Sequence, residues 1–164
     1  MESDYKIIKQ RKWLAMLVFI LAVSLMIGCT SKQPSINVST AKIEEQIKQS
    51  VNLDKLKKGD ESKLKKLYGL DSEQVEEFIL YTAKSNVMAD EIVVIKVTDV
   101  KQVESVKSNI TKRIDAQSVK FKDYRPNEYA LLEKHVVKVK EPYILFAVST
   151  EIDQIERAFD EALK

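Results

Sequence analysis

The sequence predicts an α+β domain: an antiparallel sheet of about four strands from two ββα units, helices packed on it, preceded by N-terminal helices and a signal segment. Three observations carry that prediction. Two pairs of runs rich in β-branched and aromatic residues read as hairpins or neighbouring strands: FILYTA (78–83) with EIVVIKV (91–97), and HVVKVK (135–140) with YILFAVS (143–149). Each pair is followed by apolar residues at helical spacing. Finally, T-D-V-K-Q-V-E (98–104) recurs as T-E-I-D-Q-I-E (150–156), each time at a strand-to-helix junction. There Thr98 and Thr150 are expected to cap a first turn, and the acid after each favours the positive end of a helix.

The elements follow in order. MESDYKIIKQRK (1–12) carries Lys6, Lys9, Arg11 and Lys12, and Trp13 to Ile27 holds no charge. Those fifteen residues make about 22 Å of helix at ~1.5 Å per residue, short of the roughly 20 residues a bilayer crossing needs. A basic leader, a short apolar stretch and a small residue before a cut site describe an export signal, residues 1–28. Leu25-Met26-Ile27-Gly28-Cys29 resembles the lipobox of bacterial lipoproteins. That resemblance implies cleavage between Gly28 and Cys29 and a diacylglyceryl group on the Cys29 thiol. Met26 stands where leucine is commonest, and Ile27 is bulkier than the usual small residue. The alternative is an uncleaved signal anchor with an incidental cysteine; either places the domain outside the cytoplasmic membrane.

Residues 29–39 are polar, hold Pro34 and read as a flexible tether, ten residues of which reach roughly 17 Å. The remainder, 40–164, reads as a single domain. A helix is expected from Ser39 or Thr40, with Ile43, Ile47 and Val51 on one face. A second carries Leu64 and Leu67 and stops at Gly69, and a short helical turn is expected over Asp71–Glu76. Between the first two strands, Asn86 is expected to supply a left-handed turn. A long helix from about Asp99 to Lys120 presents Val100, Val103, Val106, Ile110, Ile114 and Phe121. Pro126 opens a short helix with Tyr129, Leu131 and Leu132. Glu141-Pro142 turns the second hairpin, and Ile152, Ile155, Ala158, Phe159 and Ala162 stripe a closing helix.

Charge and composition narrow the chemistry. Four of the 27 basic and two of the 25 acidic residues precede Cys29, so the mature part holds 23 of each and is formally neutral. Nucleic-acid binding thereby loses its electrostatic argument. Glycine occurs only at 28, 59 and 69, which rules out phosphate-cradling and nucleophile-elbow motifs in the last 95 residues. With one histidine and one cysteine in the chain, His- and Cys-rich zinc motifs are absent, and no cofactor or metal is expected. Glu76-Glu77 and Asp90-Glu91 are adjacent in strands, so the members of each pair are expected on opposite faces. The lysines at 55, 57, 58, 63, 65 and 66 read as a solvated helix face, with anionic lipid heads or a wall polymer as the functional alternative.

FKDYRPNEYALLEKH (121–135) offers Tyr124, Arg125, Tyr129 and His135, and YTAKSNVMADE (81–91) offers Asn86, as candidate ligand- or partner-facing residues. Packing is the competing reading for Phe121 and Tyr124, and an ordinary strand-end hydrogen bond for His135. YTAKSNVMADEIVVIKV together with FKDYRPNEYALLEKHVVKVKEPYILFAVS resembles the small-lipoprotein domain of unknown function common in Firmicutes, over about residues 50–164. The resemblance implies a location and a unitary fold, and supplies no catalytic residues. The expectation is a lipid-anchored, non-enzymatic binding or interaction module on the outer face of the bacterial cytoplasmic membrane, meeting an envelope protein or wall polymer. A small envelope hydrolase or transferase is the alternative, and would show a deep pocket with convergent polar groups and a shifted pKa.

Overall fold

A computed structural model describes residues 37–164. The signal segment, Cys29 and residues 30–36 of the expected tether lie outside them. Thr40–Ser50 forms α1. The Ser39 hydroxyl accepts from the Ala41 N–H at 3.2 Å, and Ile43, Ile47 and Val51 are buried along one side. β1 (Leu56–Lys58) follows, then α2 (Glu61–Tyr68). Asp60 caps α2 by accepting from the Lys63 N–H at 2.8 Å, and Gly69 ends it at a φ of 66°, where a side chain would be strained. β2 (Val75–Ala83) and β3 (Glu91–Val97) form the first hairpin. A 3₁₀ turn at Val100–Gln102 leads into α3 (Val103–Phe121), and α4 (Pro126–Leu132) starts on its proline. β4 (Val136–Lys140), β5 (Tyr143–Val148) and α5 (Ile152–Ala162) complete the chain.

The strands lie in the order β1-β2-β3-β5-β4, every neighbouring pair antiparallel. Side chains alternate across the sheet. Val93, Ile95 and Val97 of β3, with Ile144, Phe146 and Val148 of β5, belong to the core with α2, α3 and α4. Ile92 and Val94, with Tyr143, Leu145 and Ala147, belong to the core with α1 and α5. The two central strands are thus buried on both faces, which is why they read as unbroken apolar runs.

The expected ββα order is present, with five strands rather than about four. The additional strand, β1, comes from inside the lysine run, where two of its three side chains are charged and exposed. It pairs Leu56 with Ala83 and Lys58 with Tyr81. Just beyond it the Gly59 N–H donates to the Leu80 carbonyl at 2.8 Å, and a Cβ at Gly59 would come within 2.7 Å of the Leu80 side chain. Asp71–Glu76 splits: the N–H groups of Gln74 and Val75 close a turn on the Asp71 carbonyl, but Val75 and Glu76 already belong to β2. Val100 is 49% exposed and leaves the apolar stripe of α3. The caps also differ from expectation. Asp99 accepts from the Lys101 N–H and Ser149 from the Glu151 N–H, while the Thr98 hydroxyl donates instead to the Glu73 carbonyl. Among the described residues no residue other than glycine has a positive φ, so Asn86 does not supply a left-handed turn.

Glu76 is the extra residue of a bulge between Val75 and Glu77 in β2, so Glu76 and Glu77 converge where alternation would separate them. Both reach the Lys96 ammonium, at 2.7 and 3.6 Å. Glu77 also accepts from the Thr40 N–H at 2.8 Å, which lowers its pKa and ties β2 to the start of α1. Lys96 donates to Asn37 at 3.1 Å, and the Tyr143 hydroxyl bonds both backbone groups of Val38. Asn37 to Ser39, read in the sequence as the end of a tether, are therefore seated on the sheet. They sit at the end where β3 finishes and β5 begins.

Glu44, on α1, gathers Lys48, Lys58 and the Tyr81 hydroxyl. Burial pushes its carboxyl up, but hydrogen bonds from Lys48, Lys58 and Tyr81 outweigh burial and hold it at about 2, below its ordinary 4.5. A carboxylate whose pKa is depressed by folding contributes stability that is complete above its ordinary pKa and lost as pH falls toward the folded value. Stability of the wild type should therefore fall between about pH 4.5 and 2 more steeply than that of Glu44→Gln. Urea titrations at pH 6, 4 and 3 would check this, and parallel acid limbs in the two proteins would contradict it.

Candidate functional site

The other end of the sheet, where β3 begins and β5 finishes, carries the connections that form clefts. Four sequence segments meet there: the α1–β1 connection, the β2–β3 connection, α4, and the β5–α5 junction. α4 is held against the β2–β3 connection because Glu128 accepts from the Ala89 N–H at 2.7 Å. The cleft between these segments has a volume of about 520 Å³, within the range of small-molecule sites. Asp54, Lys55, Asp90, Glu128, Ser149 and Glu151 supply its polar lining, and Leu53, Ile92 and Leu131 part of its apolar wall. Asp90 is partly buried. Burial raises its carboxyl above the ordinary range; a bond to its own backbone N–H opposes that rise, the Glu128 charge reinforces it, and Lys55 offsets it in part.

Asp90 precedes β3 and Glu91 begins it, so strand alternation does not govern the pair. Glu91 is 2% exposed, and the Arg113 guanidinium reaches it from α3 with Nη2 at 2.6 Å and Nε at 3.2 Å from both oxygens. The Tyr68 hydroxyl donates to the same carboxylate. Burial and then the Glu91 charge push the Tyr68 phenol well above its ordinary pKa, so it stays a donor at physiological pH. Glu91 and Arg113 line a second cleft, of about 270 Å³, which shares Met88 and Asp90 with the first.

The candidate residues from the sequence do not come together. Asn86 is exposed and lines the smaller cleft. Tyr124 is 84% exposed and does not close the end of α3; Phe121 does that, buried at its C-terminus. Arg125 is exposed beside Tyr124, and Tyr129 packs partly buried against the core. His135 places Nδ1 2.8 Å from the Leu132 carbonyl and its ring 6.0 Å from that of Phe146, an ordinary strand-end arrangement. None of these four lines either cleft. Asp54, Asp90, Glu128 and Glu151 carry no signal in the sequence as a joint site, because they lie in four separate segments, Asp90 read only as a neighbour of Glu91 and Glu151 only as an acid at a helix start. Cys29 and Gly28 lie outside the described residues. Among the described residues no helix is long and apolar enough to cross a membrane, and no three His, Cys, Asp or Glu side chains are grouped to hold a metal ion.

No curated protein and no solved structure matches the chain. A family model does, over residues 49–149, from the end of α1 through β5. The match takes in β1 to β5, α2, α3, α4 and most of the lining of both clefts. It covers more than half of the chain, which therefore belongs to the DUF4358 family, a domain of unknown function.

Proposed function

We propose that this chain is a lipid-anchored binding module on the outer face of the bacterial cytoplasmic membrane, with Cys29 as the lipidated residue. The observation that carries the reading is Leu25-Met26-Ile27-Gly28-Cys29 at the end of an uncharged run that follows a basic leader. A diacyl anchor supplies the two chains that stable attachment needs, each buried methylene contributing about 0.8 kcal/mol. The domain suits such an anchor. Asn37 to Ser39 join it at the end of the sheet with Lys96 and Tyr143, and the clefts open at the other end, about 20 Å away along seven residues of β3. The partner reached by those clefts would be an envelope protein or a wall polymer. A second reading, a small envelope hydrolase or transferase, is favoured by one observation: the raised carboxyl of Asp90 in a cleft with convergent polar groups.

The test is the intact mass of the protein from purified membranes, beside a Cys29→Ala variant. A wild-type mass that begins at Cys29 and includes a diacylglyceryl group, lost in the variant, is expected. A full-length chain without lipid would overturn the reading and make Trp13–Ile27 an ordinary anchor.

A further inference from the structure

We propose that the smaller cleft binds the phosphoryl group of a small phosphorylated ligand. The cleft, about 270 Å³, lies between α2, the β2–β3 connection and α3. Lys63, Lys84 and Lys120 stand around it, all exposed, and none has a carboxylate within 4.0 Å among the described residues. They come from three separate segments, α2, the β2–β3 connection and α3, and their charges add at the cleft they share. Two acids share the lining, Asp90 and Glu91. Glu91 is neutralised by Arg113, and the three lysines outnumber the one remaining acid, Asp90.

Gln117 supplies the second, independent observation. Its side chain lines the cleft from α3, and the residue is only 6% exposed. Its amide has no hydrogen-bond partner among the described residues, yet neither amide atom is sealed from solvent, so the cleft is what it opens on. A ligand in the cleft would take the place of water as the partner of this amide. The donor set favours a tetrahedral oxyanion over a planar carboxylate. Arg113, the one residue whose fork matches a carboxylate, already holds Glu91 with it. What remains are ammonium point charges and the donors of Ser85, Asn86 and Gln117, supplied by two different segments. This assignment stands independently of the anchor at Cys29.

The full chain in a neutral detergent would be titrated with inorganic phosphate, glycerol 3-phosphate, glycerophosphoglycerol and acetate, reading the Gln117 side-chain amide and the Ser85 and Asn86 backbone amides by NMR. Saturable shifts with phosphate and glycerol 3-phosphate are expected. Affinity should fall at least tenfold in Lys63→Gln/Lys84→Gln/Lys120→Gln, whose positions are exposed and should leave thermal stability unchanged. Weaker binding of glycerophosphoglycerol identifies a free phosphate monoester as the ligand class, and equal or tighter binding identifies a lipid headgroup. Acetate binding as tightly as phosphate, no saturable shift with any phosphorylated probe, or undiminished affinity in the triple variant would overturn the proposal. Gln117→Leu should also weaken binding while the fold, checked by its melting curve, persists; unchanged affinity there would remove the amide from the site.

Discussion

Replacing Arg113 with methionine should cost about 3–5 kcal/mol of stability, the usual penalty for leaving one member of a buried ion pair behind. The physical reason lies at Glu91, which begins β3 and is 2% exposed. Little water reaches its carboxylate, so the charge rests chiefly on the Arg113 guanidinium and the Tyr68 hydroxyl. A methionine fills much of the volume and offers no charge. The loss would take a large share of the ~5–15 kcal/mol that holds a typical domain together. A second variant identifies the cause: Glu91→Gln/Arg113→Met should recover much of the loss, because the stranded charge is gone. Urea denaturation of both variants beside the wild type at pH 7 checks both statements. A loss below about 1 kcal/mol, the range of exposed pairs, would mean that the pair is solvated.

Phe159→Ala should be comparably severe, at about 3–5 kcal/mol for truncating a large buried aromatic. Phe159 is fully buried in α5, against the face of the sheet that carries Ile79, Ile92, Val94, Leu145 and Ala147. α5 lies beyond residue 149 and so outside the segment matched by the family model. The fold nevertheless depends on it: Ile155, Ala158, Phe159, Ala162 and Leu163 all belong to that core, and α1 is the other helix in it. A chain ending at residue 149 would expose this apolar surface and should lose its cooperative melting transition. Val119→Ala is the matched control. Val119 is 80% exposed, and its truncation should change stability by less than about 0.5 kcal/mol. Thermal melts of the three proteins decide the matter; a shortened chain that melts like the full one would show that α5 is dispensable.

The central strands and the helices were legible because their apolar residues repeat at the period of the element that contains them. Ile43, Ile47 and Val51 face one core, and Val103, Val106 and Ile110 the other, as their spacing requires. Gly69 ended α2 for a local steric reason, and Pro126 opened α4 for another. β1 was not legible. Its pattern is Leu-Lys-Lys, and its strand character comes from pairing with the free edge of β2. Propensity counts for little in three residues whose backbone partners are supplied by another strand. The convergence of Glu76 and Glu77 was hidden likewise, since the bulge that turns both toward Lys96 has no glycine to mark it. Tyr124 went the other way: its aromatic ring suggested cover for the end of α3, and the chain turned it into solvent.

The sequence by itself determined the α+β class, the two ββα units and the places where most helices begin and end, because those depend on contacts within a few residues. The proposal of export and lipidation likewise rests on sequence alone, on the neighbouring residues Leu25 to Cys29. The tertiary structure decided which face each helix covers. α3 and α5 follow similar seven-residue junctions, yet they lie on opposite sides of the sheet. It also decided the clefts, which take their lining from segments as far apart as Asn52 and Glu151, and from Lys63 and Lys120. Such a site has no local spacing to read, because its geometry exists only after the sheet has brought those connections to one end.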